Sequence, residues 1–190
     1  MELLAALSRS PVIAAVRGQA ELARAVRSSA RVVFLLGGDL FVLPSWVQAV
    51  REAGKIPFVH VDLVEGIGRD VAGVHVISRM VKPSGVISTR APLLRAAADE
   101  ELLTVLRIFL VDSSSMETGA RMVKMAAPSL VEIMPGVATR AIARIRERIE
   151  TPIIAGGMIS DAADVSLARQ SGALAVSTSC ERLWASEEGL

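Results

Sequence analysis

Cysteine occurs once in this sequence, at Cys180. That scarcity rules out a disulfide framework and a cysteine-built structural metal site. Tyrosine is absent and aromatic residues make up 3% of the chain, so no aromatic platform for stacking bases is expected. The formal net charge is +1, which leaves no global attraction for nucleic acid. No apolar run approaches the roughly 20 residues of a membrane-spanning helix. The opening stretch MELLAALSRSP is short, amphipathic and acidic at Glu2, unlike a signal peptide, so a cytoplasmic location without membrane contact is expected. Lysine is scarce as well: Lys55, Lys82 and Lys124 are the only ones. The first two precede expected strands and the third falls in an expected helix. A Schiff-base aldolase, which needs a lysine at the catalytic rim, is thereby excluded. No Ser-His-Asp order and no HExxH spacing appears, and no low-complexity segment or linker interrupts the chain.

What is present is apolar and regularly patterned. Hydrophobic residues form 52% of the 190 residues, and the mean hydropathy is +0.47. That level suits strands buried on both faces, as in parallel sheets, and is also compatible with a homo-oligomer interface. After a short helix over 1–8, strands are expected at 12–16, 32–36, 57–61, 85–87, 106–111, 130–133, 152–155 and 174–176. Helices are expected between them at 20–27, 43–53, 69–80, 92–102, 115–126, 138–149 and from Ser160 or Asp161 onward, with a last short one over 181–185. Strands alternating with helices mean βαβ units and a parallel sheet. About eight such units favour one α/β domain over 1–190, a compact (β/α)8 barrel of the TIM type, over an open doubly wound sheet.

The stretch IIAGGMISDAADVSLARQSGALAVSTS (153–179) organises the functional reading. Gly156-Gly157 ends one strand, and Ser177-Thr178-Ser179 ends the next. Glycines at a strand end let backbone N–H groups approach an anion, and hydroxyl residues one βα unit later add donors. In a (β/α)8 barrel the loops after strands 7 and 8 are the usual phosphate site. The alternative is a pair of tight turns that bind nothing.

Parity along the strands gathers further candidates at the same rim. Arg17 shares a face with Ile13 and Ala15; His60 and Asp62 share one with Phe58; Asp112 shares one with Ile108 and Leu110. Glu132 lies within strand 6, where a carboxylate is costly unless paired or ligand-bound. Asp39 and Arg90 follow strands 2 and 4. Plain structural roles stand beside these: ion pairs for Arg17 and Arg90, helix caps for Asp39 and Asp112, a hydrogen-bonded core histidine for His60. His75, within a helix, reads as structural. The carboxylates could hold Mg²⁺ or accept hydrogen bonds from hydroxyls. A small phosphorylated polyol would satisfy both halves of the rim without a cofactor.

The segments VFLLGGDL, FVHVDLVEGIGRD, GVISTR, FLVDSSSME, VEIMPG, PIIAGGMI and AVSTS, with a following LW, are collinear with those of a known family. The chain resembles the glycerol-uptake operon antiterminator regulatory proteins, which respond to glycerol 3-phosphate. The resemblance implies a (β/α)8 fold, binding of glycerol 3-phosphate, and ligand-dependent binding to leader mRNA, without catalysis. For the RNA, Arg140, Arg144 and Arg148 recur at i, i+4 and i+8 on the expected helix 138–149, as one basic stripe. Two rivals remain: a barrel enzyme acting on a small phosphorylated polyol or phosphodiester, using His60 or Asp112 as acid or base, and a metabolite-binding protein with a protein partner.

Overall fold

The computed structural model describes residues 2–185; Met1, with which the first expected helix opens, lies outside them. Eight parallel strands close into a barrel in chain order: β1 (Val12–Val16), β2 (Val32–Leu35), β3 (Ile56–His60), β4 (Gly85–Ser88), β5 (Leu103–Phe109), β6 (Leu130–Met134), β7 (Ile153–Gly156) and β8 (Ala175–Thr178). The pairing of Val12 with Val176 and of Ala14 with Thr178 seals the first strand to the last. The expected (β/α)8 barrel is the observed architecture, and the open sheet is not.

Helices α2 (Gln19–Ala25), α3 (Leu43–Glu52), α4 (Val71–Val76), α5 (Ala91–Asp99), α6 (Ser113–Ala126), α7 (Thr139–Arg146) and α8 (Ala162–Gln170) follow β1 to β7 in turn. A short α9 (Glu181–Trp184) follows β8. Where the expected helix 69–80 stood, the chain forms α4 and then a π-helical turn, Ile77–Val81. Asp70 starts α4 by accepting from the Gly73 N–H, a side-chain cap for one of the unpaired donors of a helix start. His75 pairs with Glu100 at 2.7 Å, the structural role expected of it.

Both faces of the sheet are apolar, as parallel strands require. The inward layer holds Ile13, Phe34, Phe58, Ile87, Val105, Leu130, Ile154 and Ala175. Phe34 and Phe58 meet in the lumen with ring centroids 5.6 Å apart. The outward residues, among them Val33, Val86, Ile108 and Ile133, pack under the helices.

The two ends of the barrel are built differently. At the end where the strands begin, α1 (Glu2–Arg9) inserts Leu3 and Leu7 into the lumen core, and Leu7 is fully buried. Lys55 lies at that same end, just before β3, and donates to the carbonyls of Ser28 and Ala30 at 2.5 and 2.6 Å. The end where the strands finish carries the candidate site.

Candidate functional site

Alternation along β8 gives Ser177, Thr178 and Ser179 three separate tasks. Ser177 points into the lumen and donates to Glu132 Oε1 at 2.5 Å. Thr178 points the other way: its hydroxyl donates to the Ile159 carbonyl at 2.6 Å and accepts from the Cys180 N–H at 2.9 Å. It therefore clamps the β7–α8 loop to the end of β8. Ser179 is left exposed on the wall between them. Gly156 lies level with Ser177 in the β7–β8 ladder. A Cβ at Gly156 would collide with both Glu132 Oε1 and Ser177 Oγ, so only glycine lets these groups meet there. Gly157 turns the chain with φ of +80°, a left-handed conformation that favours glycine. The Gly136 N–H donates to the Gly156 carbonyl at 2.6 Å, which pins the β6–α7 loop onto this turn.

These groups wall a cavity of about 360 Å³ at the mouth of the barrel. Arg17, Glu132, Gly157, Ser177, Thr178 and Ser179 all line it, with Arg107, Leu36, Met134 and the Met158–Ser160 turn. Arg17 is exposed, and its guanidinium makes no hydrogen bond with the described residues. Glu132 is 1% exposed. Its Oε2 accepts from Arg107 Nε at 2.6 Å, and its Oε1 accepts from Ser177. A buried carboxylate costs several kcal/mol unless its partners replace water, and here the partners are an arginine and a hydroxyl.

Arg107 escaped the sequence reading. The strand was expected at 106–111, with Ile108, Leu110 and Asp112 facing inward; β5 instead begins at Leu103, and Val105 and Arg107 face the lumen while Ile108 packs under α6. A usable signal existed: Arg107 and Glu132 are charges in the bodies of two apolar strands, and they stand level in the β5–β6 ladder.

A second polar cluster occupies the ends of β3 and β4. Asp62 accepts from the Thr89 N–H at 2.8 Å, from the hydroxyls of Ser88 and Thr89, and from Arg90 Nη2 at 3.1 Å. Burial raises the Asp62 pKa, but these donors together outweigh it and hold the carboxyl below its ordinary value. His60 is 3% exposed, and its Nδ1 is buried without a hydrogen-bond partner, 3.9 Å from Asp62 Oδ2. Burial first, and the Arg107 charge second, lower the His60 pKa to about 4, so the ring is neutral at physiological pH. His60, Asp62 and Arg90 gather together, but in this cluster rather than among the residues that line the cavity.

Three expected site residues stand elsewhere. The Asp39 carboxylate accepts from the N–H groups of Phe41 and Val42 and caps its own loop. Asp112 is the N-cap of α6, in a reciprocal capping box with Ser115 whose N–H holds its carboxyl below the ordinary value. For both, a backbone N–H near an aspartate competes with any ligand and wins locally. Arg148 lies beyond the end of α7, which stops at Arg146, so the basic stripe on the helix is reduced to Arg140 and Arg144. These two line a groove of about 560 Å³ between α6 and α7, opposite Val111, Asp112 and Ser113. Two phenylalanines are exposed, Phe41 at 90% and Phe109 at 53%.

No group of three or more His, Cys, Asp or Glu side chains is placed to hold a metal ion among the described residues. No helix among them is long and apolar enough to cross a membrane.

Fold and cavity together define a (β/α)8 barrel with a polar, partly charged pocket at the mouth where its strands end. The model of the glycerol-3-phosphate responsive antiterminator family matches residues 12–184, and the chain belongs to that family. The uncharacterized protein YgcP of Escherichia coli K12 is 34% identical over 184 residues, covering 97% of this chain and 96% of that protein. The crystal structure of the glycerol uptake operon antiterminator regulatory protein from Listeria monocytogenes superposes with a TM-score of 0.87 at 28% identity, covering 91% of this chain and 94% of that one. A glycerol uptake operon antiterminator-related protein from Thermotoga maritima superposes at 0.79 and 26% identity, covering 92% and 98%. A deoxyribose phosphate aldolase from Aeropyrum pernix, at 0.70 and 12% identity over 94% and 89%, shares the barrel alone.

Proposed function

We propose that this chain is a cytoplasmic antiterminator that binds glycerol 3-phosphate in the barrel mouth and, depending on that ligand, binds leader mRNA of glycerol metabolism genes. The observation that carries the reading is the meeting of Gly157, Ser177–Ser179 and Arg17 around one cavity, the Arg17 guanidinium having no hydrogen bond among the described residues. A phosphate ester needs donors and positive charge: the exposed Ser179 supplies a hydroxyl and Arg17 the charge. Glu132 and its neighbours receive the polyol. Gly156 acts by leaving room for them.

Ligand binding without turnover fits the site. The lysines stand away from the cavity, and His60 is a neutral, enclosed ring. A regulator needs only a difference in affinity between two states. The RNA is taken by the face bearing Arg140 and Arg144, with Arg148 at its edge. Leader transcript titrated with and without glycerol 3-phosphate tests the reading. Ligand-dependent RNA affinity is expected; RNA affinity indifferent to the ligand overturns it. Proton and phosphorus NMR of the ligand after long incubation, with and without Mg²⁺, should show no product.

A further inference from the structure

Arg107 has donors to spare. Its Nε is held by Glu132, yet neither Nη nitrogen meets an acceptor among the described residues. Neither is sealed from solvent either, since the one enclosed side-chain atom lacking a partner among these residues is His60 Nδ1. Arg107 lines the cavity, so the free edge of its guanidinium opens there. Beside it, each Glu132 oxygen is used once and keeps a lone pair. A donor edge and a carboxylate therefore stand side by side in the cavity that Gly157 and Ser179 also line.

That pairing discriminates between chemical groups. A phosphate dianion accepts hydrogen bonds only, and Glu132 would repel it. A hydroxyl both donates and accepts, so it can give its proton to Glu132 while taking one from Arg107. We propose that Arg107, held in place by Glu132, is the residue that reads the free hydroxyls of the bound polyol phosphate and makes the pocket selective for a hydroxylated ester over a bare one. The inference rests on the phosphate reading above and adds a specificity element to it. A site built to pair with a hydroxyl rejects an analogue that lacks it, because the buried groups are then left unpaired.

Isothermal titration calorimetry with glycerol 3-phosphate and ethyl phosphate tests it. The two esters carry the same charge, and only the first has free hydroxyls. The unaltered protein should prefer glycerol 3-phosphate by roughly 10- to 100-fold, the range for one or two charge-assisted hydrogen bonds. Arg107→Lys keeps the charge opposite Glu132 but loses the planar fork. It should weaken glycerol 3-phosphate by about tenfold and ethyl phosphate by less than about threefold, against the same scale. The double variant Arg107→Met with Glu132→Leu replaces the ion pair by apolar groups of similar volume, an exchange that proteins tolerate. It should bind both esters alike. If it fails to fold, the lysine variant decides. Retained preference in the variants, or parallel loss of both esters, overturns the inference while leaving the phosphate site standing. An unaltered protein that binds both esters equally overturns it too. An unaltered protein that binds neither ester overturns the phosphate reading itself, and this inference with it.

Discussion

The two ends of this barrel handle buried polar groups in opposite ways. Where the strands begin, Lys55 spends its ammonium on two backbone carbonyls, and Leu3 and Leu7 plug the lumen. Where they finish, Arg107 keeps an unused donor edge and His60 keeps a buried nitrogen, neither with a hydrogen-bond partner among the described residues. A buried polar group left unsatisfied costs on the order of 1–3 kcal/mol, so a fold retains such groups only where something else repays them. On the proposed function, the satisfied end serves stability and the end with groups to spare serves a ligand.

The sharpest way to break the contrast is Glu132→Ala. It leaves the Arg107 charge without its carboxylate and should cost about 3–5 kcal/mol in urea unfolding, with glycerol 3-phosphate binding abolished in calorimetry. Leu7→Ala makes a cavity at the opposite end and should cost about 3 kcal/mol. There the calorimetric affinity for ligand should not change, because Leu7 packs into the lumen core at the end away from the cavity. An altered ligand affinity in that variant would merge the two ends.

The pH dependence separates them further. His60 titrates near 4 in the folded protein, below its ordinary 6.5. Between these values the unfolded chain takes up a proton that the folded one refuses. The stabilising contribution is therefore complete above pH 6.5 and is lost as the pH falls toward 4. From pH 7.5 to pH 5 it should fall by about 2 kcal/mol. His60→Gln should remove that share of the slope, which urea unfolding at the two pH values will show. The smallest effect belongs to the α6–α7 groove. Arg144→Glu should weaken leader-RNA binding by about 1 kcal/mol and lower its salt slope by about one charge. Filter binding across a salt series reads both, and an unchanged slope removes this face from the RNA interface.

Much of the fold was legible in the residues. Eight apolar strands alternating with helical stretches left few topologies, and Glu132 announced itself as a carboxylate inside an apolar strand. Gly156-Gly157 and Ser177-Thr178-Ser179 were legible as strand ends that meet. Arg107 was not, because both faces of a barrel strand are apolar. Val105 and Ile108 look alike in sequence, yet the first faces the lumen and the second faces α6. Starting the strand three residues late reversed its parity and placed Asp112 inward instead of Arg107. Asp39 and Asp112 were misplaced for a different reason: an aspartate just ahead of a helix serves its own backbone before it serves a distant ligand.

By itself the sequence determined the alternation of apolar strands with helical stretches, hence a parallel sheet with a closed barrel favoured, and the glycine and hydroxyl residues at the ends of β7 and β8. Those are local properties, decided by side-chain size and by which groups lie next to each other along the chain. Only the tertiary structure decided that Arg107 and Glu132 stand side by side, that His60 is shut in beside Asp62, and that the α6–α7 groove holds two arginines rather than three. The physical reason is that the closure of the sheet sets which face of each strand looks inward, and burial then decides which polar groups find partners and which do not.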